Sequence, residues 1–177
     1  HGTVGRDGNT VITAFEGLKE CIVNRRCPVS AFQMIARLRP GALYLVDEDG
    51  NTLLHIAAVY GSSIGVEEDK IPLIIDEIVA INGTCASVPN KDNVLPLAIA
   101  MQNVKSHSNY KKQRDGTKLE GNSIIEKIFL AEPRALSVRD TRSHMFPFMV
   151  TAVTAGFRGK NKCDHLQRFT NCYSLLM

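Results

Sequence analysis

Residues 47–58 read Asp-Glu-Asp-Gly-Asn-Thr-Leu-Leu-His-Ile-Ala-Ala, a short polar stretch that runs directly into apolar residues. Gly50 permits the positive φ that a tight turn requires, and Thr52 is a favourable N-cap residue for a helix. His55 then falls at the third helical position, where its imidazole can hydrogen-bond back towards the cap. The two alanines at the end would allow a second helix to approach closely. The stretch therefore predicts a polar turn followed by an amphipathic helix.

Two weaker copies of this stretch follow it. Residues 90–100 align with it without a gap 43 residues later, and residues 140–152 align about 50 residues further on, with one inserted residue. The pattern Pro-x-Ala-Leu also precedes the first and third copies, at residues 40–43 and 133–136. A fixed period is the mark of a repeat array. The copies therefore predict repeated units with connections of constant length.

The first copy resembles the ankyrin repeat, whose consensus is a D-x-x-G-x-T turn followed by P-L-H-x-A-A. Leu53 replaces the usual proline, and the matching residues are Asp47, Gly50, Thr52, Leu54, His55, Ala57 and Ala58. The resemblance implies an all-α solenoid of about four helix-turn-helix repeats in a single domain, roughly eight helices in antiparallel pairs. The expected repeats span residues 9–46, 47–89, 90–139 and 140–177. The period exceeds the usual 33 residues, so a related helical-repeat family with a different binding face is an alternative.

Apolar residues spaced three or four positions apart predict the helices. The first is expected to begin at Asn9 or Thr10, and the others to span about 28–37, 52–60, 71–81, 95–104, 123–130, 147–155 and 163–176. None is amphipathic enough to be stable alone, so each should bury its apolar stripe on its neighbours.

Composition places the chain among ordinary globular proteins. Its 177 residues are 44% hydrophobic and 22% charged, which suffices for one domain with a core. The longest uncharged run, residues 143–157, contains Pro147 and is too short to cross a bilayer. Five cysteines, an odd number without a C-x-x-C pair, argue against a disulfide framework. We expect buried free thiols in an intracellular, cytoplasmic or nuclear protein, and a chain beginning with His1 to be part of a longer one.

Charge is unevenly distributed between the two halves of the chain. Residues 1–88 carry 7 Lys and Arg against 11 Asp and Glu, whereas residues 89–177 carry 14 against 7. The basic half includes a polar insertion at 105–118, which is either a solvated loop or a contact segment. Because this half is basic, a nucleic-acid-binding helical repeat is an alternative function. The scarcity of interleaved aromatic residues disfavours it. Its candidate residues are Lys111, Lys112, Arg114, Arg158, Lys160 and Lys162.

Three motifs suggest chemistry, but their context argues against each. Residues 61–65 match the G-x-S-x-G of hydrolases, yet a predicted helix rather than a strand precedes them. Asp47, Asp49 and Asn51 match the first ligand positions of a calcium loop, but the residues that such a loop requires at its remaining positions are absent. A Cys163, His165 and Cys172 zinc set would not share one helix face. We therefore expect no enzyme, no metal and no cofactor.

The resemblance implies a non-enzymatic module that binds a protein partner, and we expect it to be monomeric. Ankyrin repeats contact partners through turn tips and inner helices. Mapped onto this sequence, the tips are Asp47, Glu48, Asp49, Lys91, Asp92, Arg142 and Ser143, and the inner-helix positions are Val59, Tyr60, Gln102, Asn103, Val153 and Thr154.

Overall fold

A computed structural model of the chain describes residues 7–24, 26–61, 70–103, 124–139, 141, 144–147 and 149. These residues form six α-helices and three short 3-10 helices, and they contain no strand. The α-helices are α1 (Asp7–Val23), α2 (Val29–Leu38), α3 (Leu53–Tyr60), α4 (Lys70–Ile81), α5 (Pro96–Gln102) and α6 (Ile124–Ala131). The 3-10 helices are η1 (Pro40–Tyr44), η2 (Gly83–Ser87) and η3 (Pro133–Ser137). The expected all-α class is therefore confirmed for the part of the chain described.

The first six predicted helices all occur, with ends that differ from the prediction by a few residues. Thr52 is the N-cap of α3, as predicted. The fourth predicted pair, at 147–155 and 163–176, lies almost entirely outside the described residues. The insertion at 105–118 and residues 62–69 also lie outside them.

The helices lie in two layers. α1, α3 and α5 pack side by side in one layer, and α2, α4 and α6 pack side by side in the other. The ends of α1 and α3 both meet the start of α4, because Lys70 Nζ donates to the carbonyl of Asn24 at 2.7 Å, and a Cβ added at Gly61 would lie 2.9 Å from Ile71. α1 and α3 therefore run in the same direction.

The core lies between the two layers and depends on the apolar stripes of the helices. Along α4, Ile71, Ile74, Ile75 and Ile78 are buried, as their spacing predicts. Burying one such side chain contributes about 1.5–3 kcal/mol before the entropy cost is counted. The other large, fully buried side chains include Leu18, Phe32, Leu43, Leu54, Leu97, Met101 and Ile128.

A 3-10 helix follows each of α2, α4 and α6. The three 3-10 helices begin 43 and 50 residues apart, the same spacing as the polar turns. Ala42, Cys85 and Ala135 are buried at equivalent positions within them. The recurring Pro-x-Ala-Leu pattern thus corresponds to a short helix that the sequence did not predict, because four residues are too few to show a period.

Candidate partner-binding surface

The first turn, residues 47–51, is held closed by the side chain of Asp47. Its Oδ1 atom accepts hydrogen bonds from the N–H groups of Asp49 at 3.0 Å and Asn51 at 2.7 Å. Its Oδ2 atom accepts from the side-chain amide of Asn51 at 3.1 Å. Gly50 completes the turn, with φ at 77° and its N–H donating to the carbonyl of Asp47. The carboxylate of Asp47 therefore maintains the turn.

The second turn, residues 90–94, repeats the two hydrogen bonds from main-chain N–H groups to the side chain of its first residue. Oδ1 of Asn90 accepts from the N–H groups of Asp92 at 3.1 Å and Val94 at 2.9 Å. Asn93 takes the place of Gly50, with φ at 57°, and asparagine tolerates this left-handed region better than most residues. The two turns therefore share one conformation although their sequences differ.

Hydrogen bonds also join each turn to the next. The N–H of Lys91 donates to the carbonyl of Asp49 at 2.9 Å, and the side-chain amide of Asn90 donates to Oδ1 of Asn51 at 3.0 Å. The hydroxyl of Thr141 donates to the carbonyl of Asp92 at 2.8 Å. The described turns therefore form a connected row rather than independent loops.

His55 connects the first helix of this row to the second turn. Its Nδ1 atom accepts from the N–H of Thr52 at 3.1 Å, which confirms the predicted bond to the cap. Its Nε2 atom lies 2.9 Å from the carbonyl oxygen of Val94. Since Nδ1 is an acceptor, Nε2 carries the proton and donates to Val94. Burial lowers the pKa of His55, although the Val94 carbonyl opposes this shift. We therefore assign His55 a structural role as a neutral imidazole.

The predicted tip residues differ in what their side chains can offer a partner. Glu48, Asp49, Lys91 and Asp92 are exposed along the two turns, and we call them the charged row. Asp47 is half-buried, and its carboxylate is engaged by the turn itself. The charged row is therefore the accessible part of the predicted tips.

The predicted inner-helix residues lie at the other ends of α3 and α5. Val59 and Tyr60 are 44% and 37% exposed at the end of α3. Gln102 and Asn103 are half-buried at the end of α5, and we call these four residues the helix-end patch. A helix of this length separates the patch from the turns by about 10 Å. Residues 53–58 between them are buried, so the predicted site divides into two surfaces.

The remaining predicted site residues lie outside the described part of the chain. This applies to the tip and inner-helix positions of the third copy, the basic residues of the nucleic-acid alternative and the zinc candidates: Arg142, Ser143, Val153, Thr154, Lys111, Lys112, Arg114, Arg158, Lys160, Lys162, Cys163, His165 and Cys172.

The described residues contain no candidate metal site and no candidate membrane-spanning helix. No group of three or more His, Cys, Asp or Glu side chains in this part of the chain is placed to hold a metal ion. The calcium-like stretch at 47–51 uses its first carboxylate for hydrogen bonds within the turn. Among the helices described, none combines the length and apolarity needed to cross a membrane.

Comparison with known proteins gives no relative, since no protein-family model, curated protein or solved structure matches the chain.

Two side-chain contacts of the structure were not predicted from the sequence. The amide pair of Asn51 and Asn90 joins the turns, and its signal would have been one asparagine at the end of the first turn and another at the start of the second. The partly buried contact of Lys70 with Asn24 had no sequence signal.

Proposed function

We propose that the chain is a divergent ankyrin-like repeat domain that acts as a non-enzymatic protein-binding module. The observation that carries this proposal is the hydrogen bond from the N–H of Lys91 to the carbonyl of Asp49, which fixes one turn against the next. Each turn is also closed by its own side-chain hydrogen bonds. A surface ordered before binding loses less conformational entropy when a partner docks.

The charges of this surface suggest the chemistry of the partner. Glu48 and Asp49 are followed by Lys91 and then Asp92, so the charged row is net negative with one positive side chain within it. A complementary protein surface would present basic residues with an acidic residue opposite Lys91. A nucleic-acid backbone fits this row poorly, because its phosphates would meet the carboxylates of the two turns.

The helix-end patch would supply the apolar part of the contact. Tyr60 and Val59 are adjacent and exposed at the end of α3. Tyrosine is enriched among the residues that dominate binding energy at interfaces. α3 and α5 run in the same direction, because His55 in the first turn of α3 meets Val94, which lies two residues before the start of α5. The ends of these two helices therefore lie side by side.

The proposal is tested by quantitative affinity capture from native lysate with a matched pair of charge reversals. Lys91→Glu changes the charged row, whereas Arg39→Glu makes the same charge change at an exposed residue just after α2. We expect Lys91→Glu to reduce retention of a specific protein by about two- to fivefold, the range for an exposed charged contact, and Arg39→Glu to leave it unchanged. Equal retention by both variants, or capture that nuclease treatment abolishes, would overturn the proposal.

A further inference from the structure

Two free cysteines lie in contact at the connection between α1 and α2. Cys21 is in the last turn of α1, and Cys27 lies just before the start of α2. Their Sγ atoms are 2.9 Å apart. A disulfide bond has an S–S length of about 2.05 Å. The two sulfur atoms would therefore need to approach by roughly 0.9 Å to form one.

The two thiols differ in their access to solvent. Cys21 is buried, whereas Cys27 is half-exposed, which corrects the expectation that all of the cysteines are buried. Burial, followed by the hydrogen bond from Cys27, raises the pKa of Cys21 to about 12. An oxidant arriving from solvent would therefore meet Cys27 first.

A buried cation lies close to the pair. Lys70 is only 2% exposed, and its ammonium donates to the carbonyl of Asn24, three residues after Cys21. The charge of Lys70 opposes the rise in the pKa of Cys21. It would stabilise the Cys21 thiolate at the moment when that thiolate forms. The hydrogen bond also holds the carbonyl of Asn24, which lies between the two cysteines in sequence.

We propose that Cys21 and Cys27 form a reversible intramolecular disulfide, with a low-molecular-weight disulfide such as glutathione disulfide as the oxidant. The Cys27 thiolate attacks one sulfur of glutathione disulfide, forming a mixed disulfide and releasing one glutathione thiolate. The Cys21 thiolate then attacks the Cys27 sulfur and releases the second glutathione thiolate. The two protein thiols lose two electrons and two protons, and two molecules of reduced glutathione result. Excess reduced glutathione reverses both steps.

The test uses the full chain equilibrated in buffers of defined ratios of reduced to oxidised glutathione. After an acid quench, free thiols are alkylated and the protein is digested with trypsin. Cleavage after Lys19, Arg25 and Arg26 places Cys21 and Cys27 on separate peptides, residues 20–25 and 27–37. We expect oxidation to link these two peptides within one chain and to remove two of the five alkylatable thiols. Reduced glutathione should restore both.

Two comparisons separate this geometry from general thiol reactivity. In Cys27→Ser, Cys21 should remain alkylatable at every glutathione ratio, whereas Cys85→Ser should form the linked peptides as the unmodified chain does. The equilibrium constant for oxidation should be about tenfold or more larger in the folded chain than in guanidinium chloride, because the fold holds the sulfurs together. The proposal would be overturned if the oxidation constants of the folded and unfolded chains were equal, or if Cys21 and Cys27 both stayed alkylatable. Disulfide links to other cysteines or to a second chain would overturn it as well.

Discussion

The Nε2 atom of His55 lies 2.9 Å from the carbonyl oxygen of Val94, 39 residues further along the chain. The same imidazole accepts a hydrogen bond from the N–H of Thr52 at the start of α3. One neutral side chain therefore connects a helix cap to the following turn. This dual contact requires the unprotonated Nδ1 atom, because a protonated Nδ1 could not accept the bond from Thr52.

Acidification should destabilise the fold through His55. Burial lowers its pKa in the folded state below the ordinary histidine value of 6.5, so the unfolded chain takes up the proton first as the pH falls. The contribution of neutral His55 to the free energy of unfolding is complete above about pH 6.5. It is lost as the pH falls from there towards the pKa of His55 in the folded state. Chemical unfolding measured at about pH 7.5 and pH 5.5 should show this loss. His55→Gln should be less stable at both pH values and should lack this pH-dependent loss of stability. An equal loss of stability between the two pH values in both proteins would contradict the role assigned to His55.

Gly50→Ala should destabilise the first turn. Its left-handed backbone costs a residue with a side chain about 1–2 kcal/mol, and the new Cβ would lie 2.9 Å from the backbone nitrogen of Lys91. The matched change Asn93→Gly, at the equivalent position of the second turn, should alter stability by less than about 0.5 kcal/mol. Denaturant titration of both variants measures the difference. A stable Gly50→Ala protein would show that the turn can adopt another conformation.

Asn82→Ala should leave a buried carbonyl without its partner. The side-chain amide of Asn82 donates to the carbonyl of Leu43 at 2.8 Å, and both groups are buried. Loss of such a bond costs about 1–3 kcal/mol. Arg39→Ala, at the equivalent but exposed position after α2, should cost less than about 0.5 kcal/mol. Thermal unfolding of both variants checks this, and similar losses would show that the Leu43 contact is unimportant.

Tyr60→Ala should weaken partner binding while leaving the fold intact. Its side chain is exposed, and removal of an aromatic anchor is expected to reduce affinity about tenfold, or about 1.4 kcal/mol. Leu130→Ala removes an apolar side chain that is 68% exposed on α6, and it should leave binding unchanged. Affinity capture with a circular dichroism control measures both effects. Unchanged binding by a folded Tyr60→Ala variant would place the interface elsewhere.

The sequence predicted the helices well because they depend on local spacing. The isoleucines of α4 recur with a helical period, and four of them are buried as that period requires. Gly50 and Thr52 have the positive φ and the N-cap position predicted for them. Such features depend on interactions between residues a few positions apart.

The division of the candidate site was not predictable in the same way. The positions at the end of α3 were assigned to one surface with the turns, but burial of residues 53–58 separates them. Burial depends on the neighbouring helices and is not a property of the residue pattern alone. The contact of Cys21 with Cys27 likewise depends on the path of the chain between α1 and α2. The spacing of Cys21 and Cys27 in the sequence does not determine where their side chains point.

The turn-to-turn hydrogen bond between Lys91 and Asp49 uses main-chain atoms at both ends. Its geometry is therefore compatible with many side chains at positions 49 and 91, and Glu48 beside them is exposed as well. These three positions are suited to randomisation in a display library, because diversity there would leave the scaffold's own connections in place. The same property would let natural variants acquire new ligands by point substitution without first evolving a new backbone.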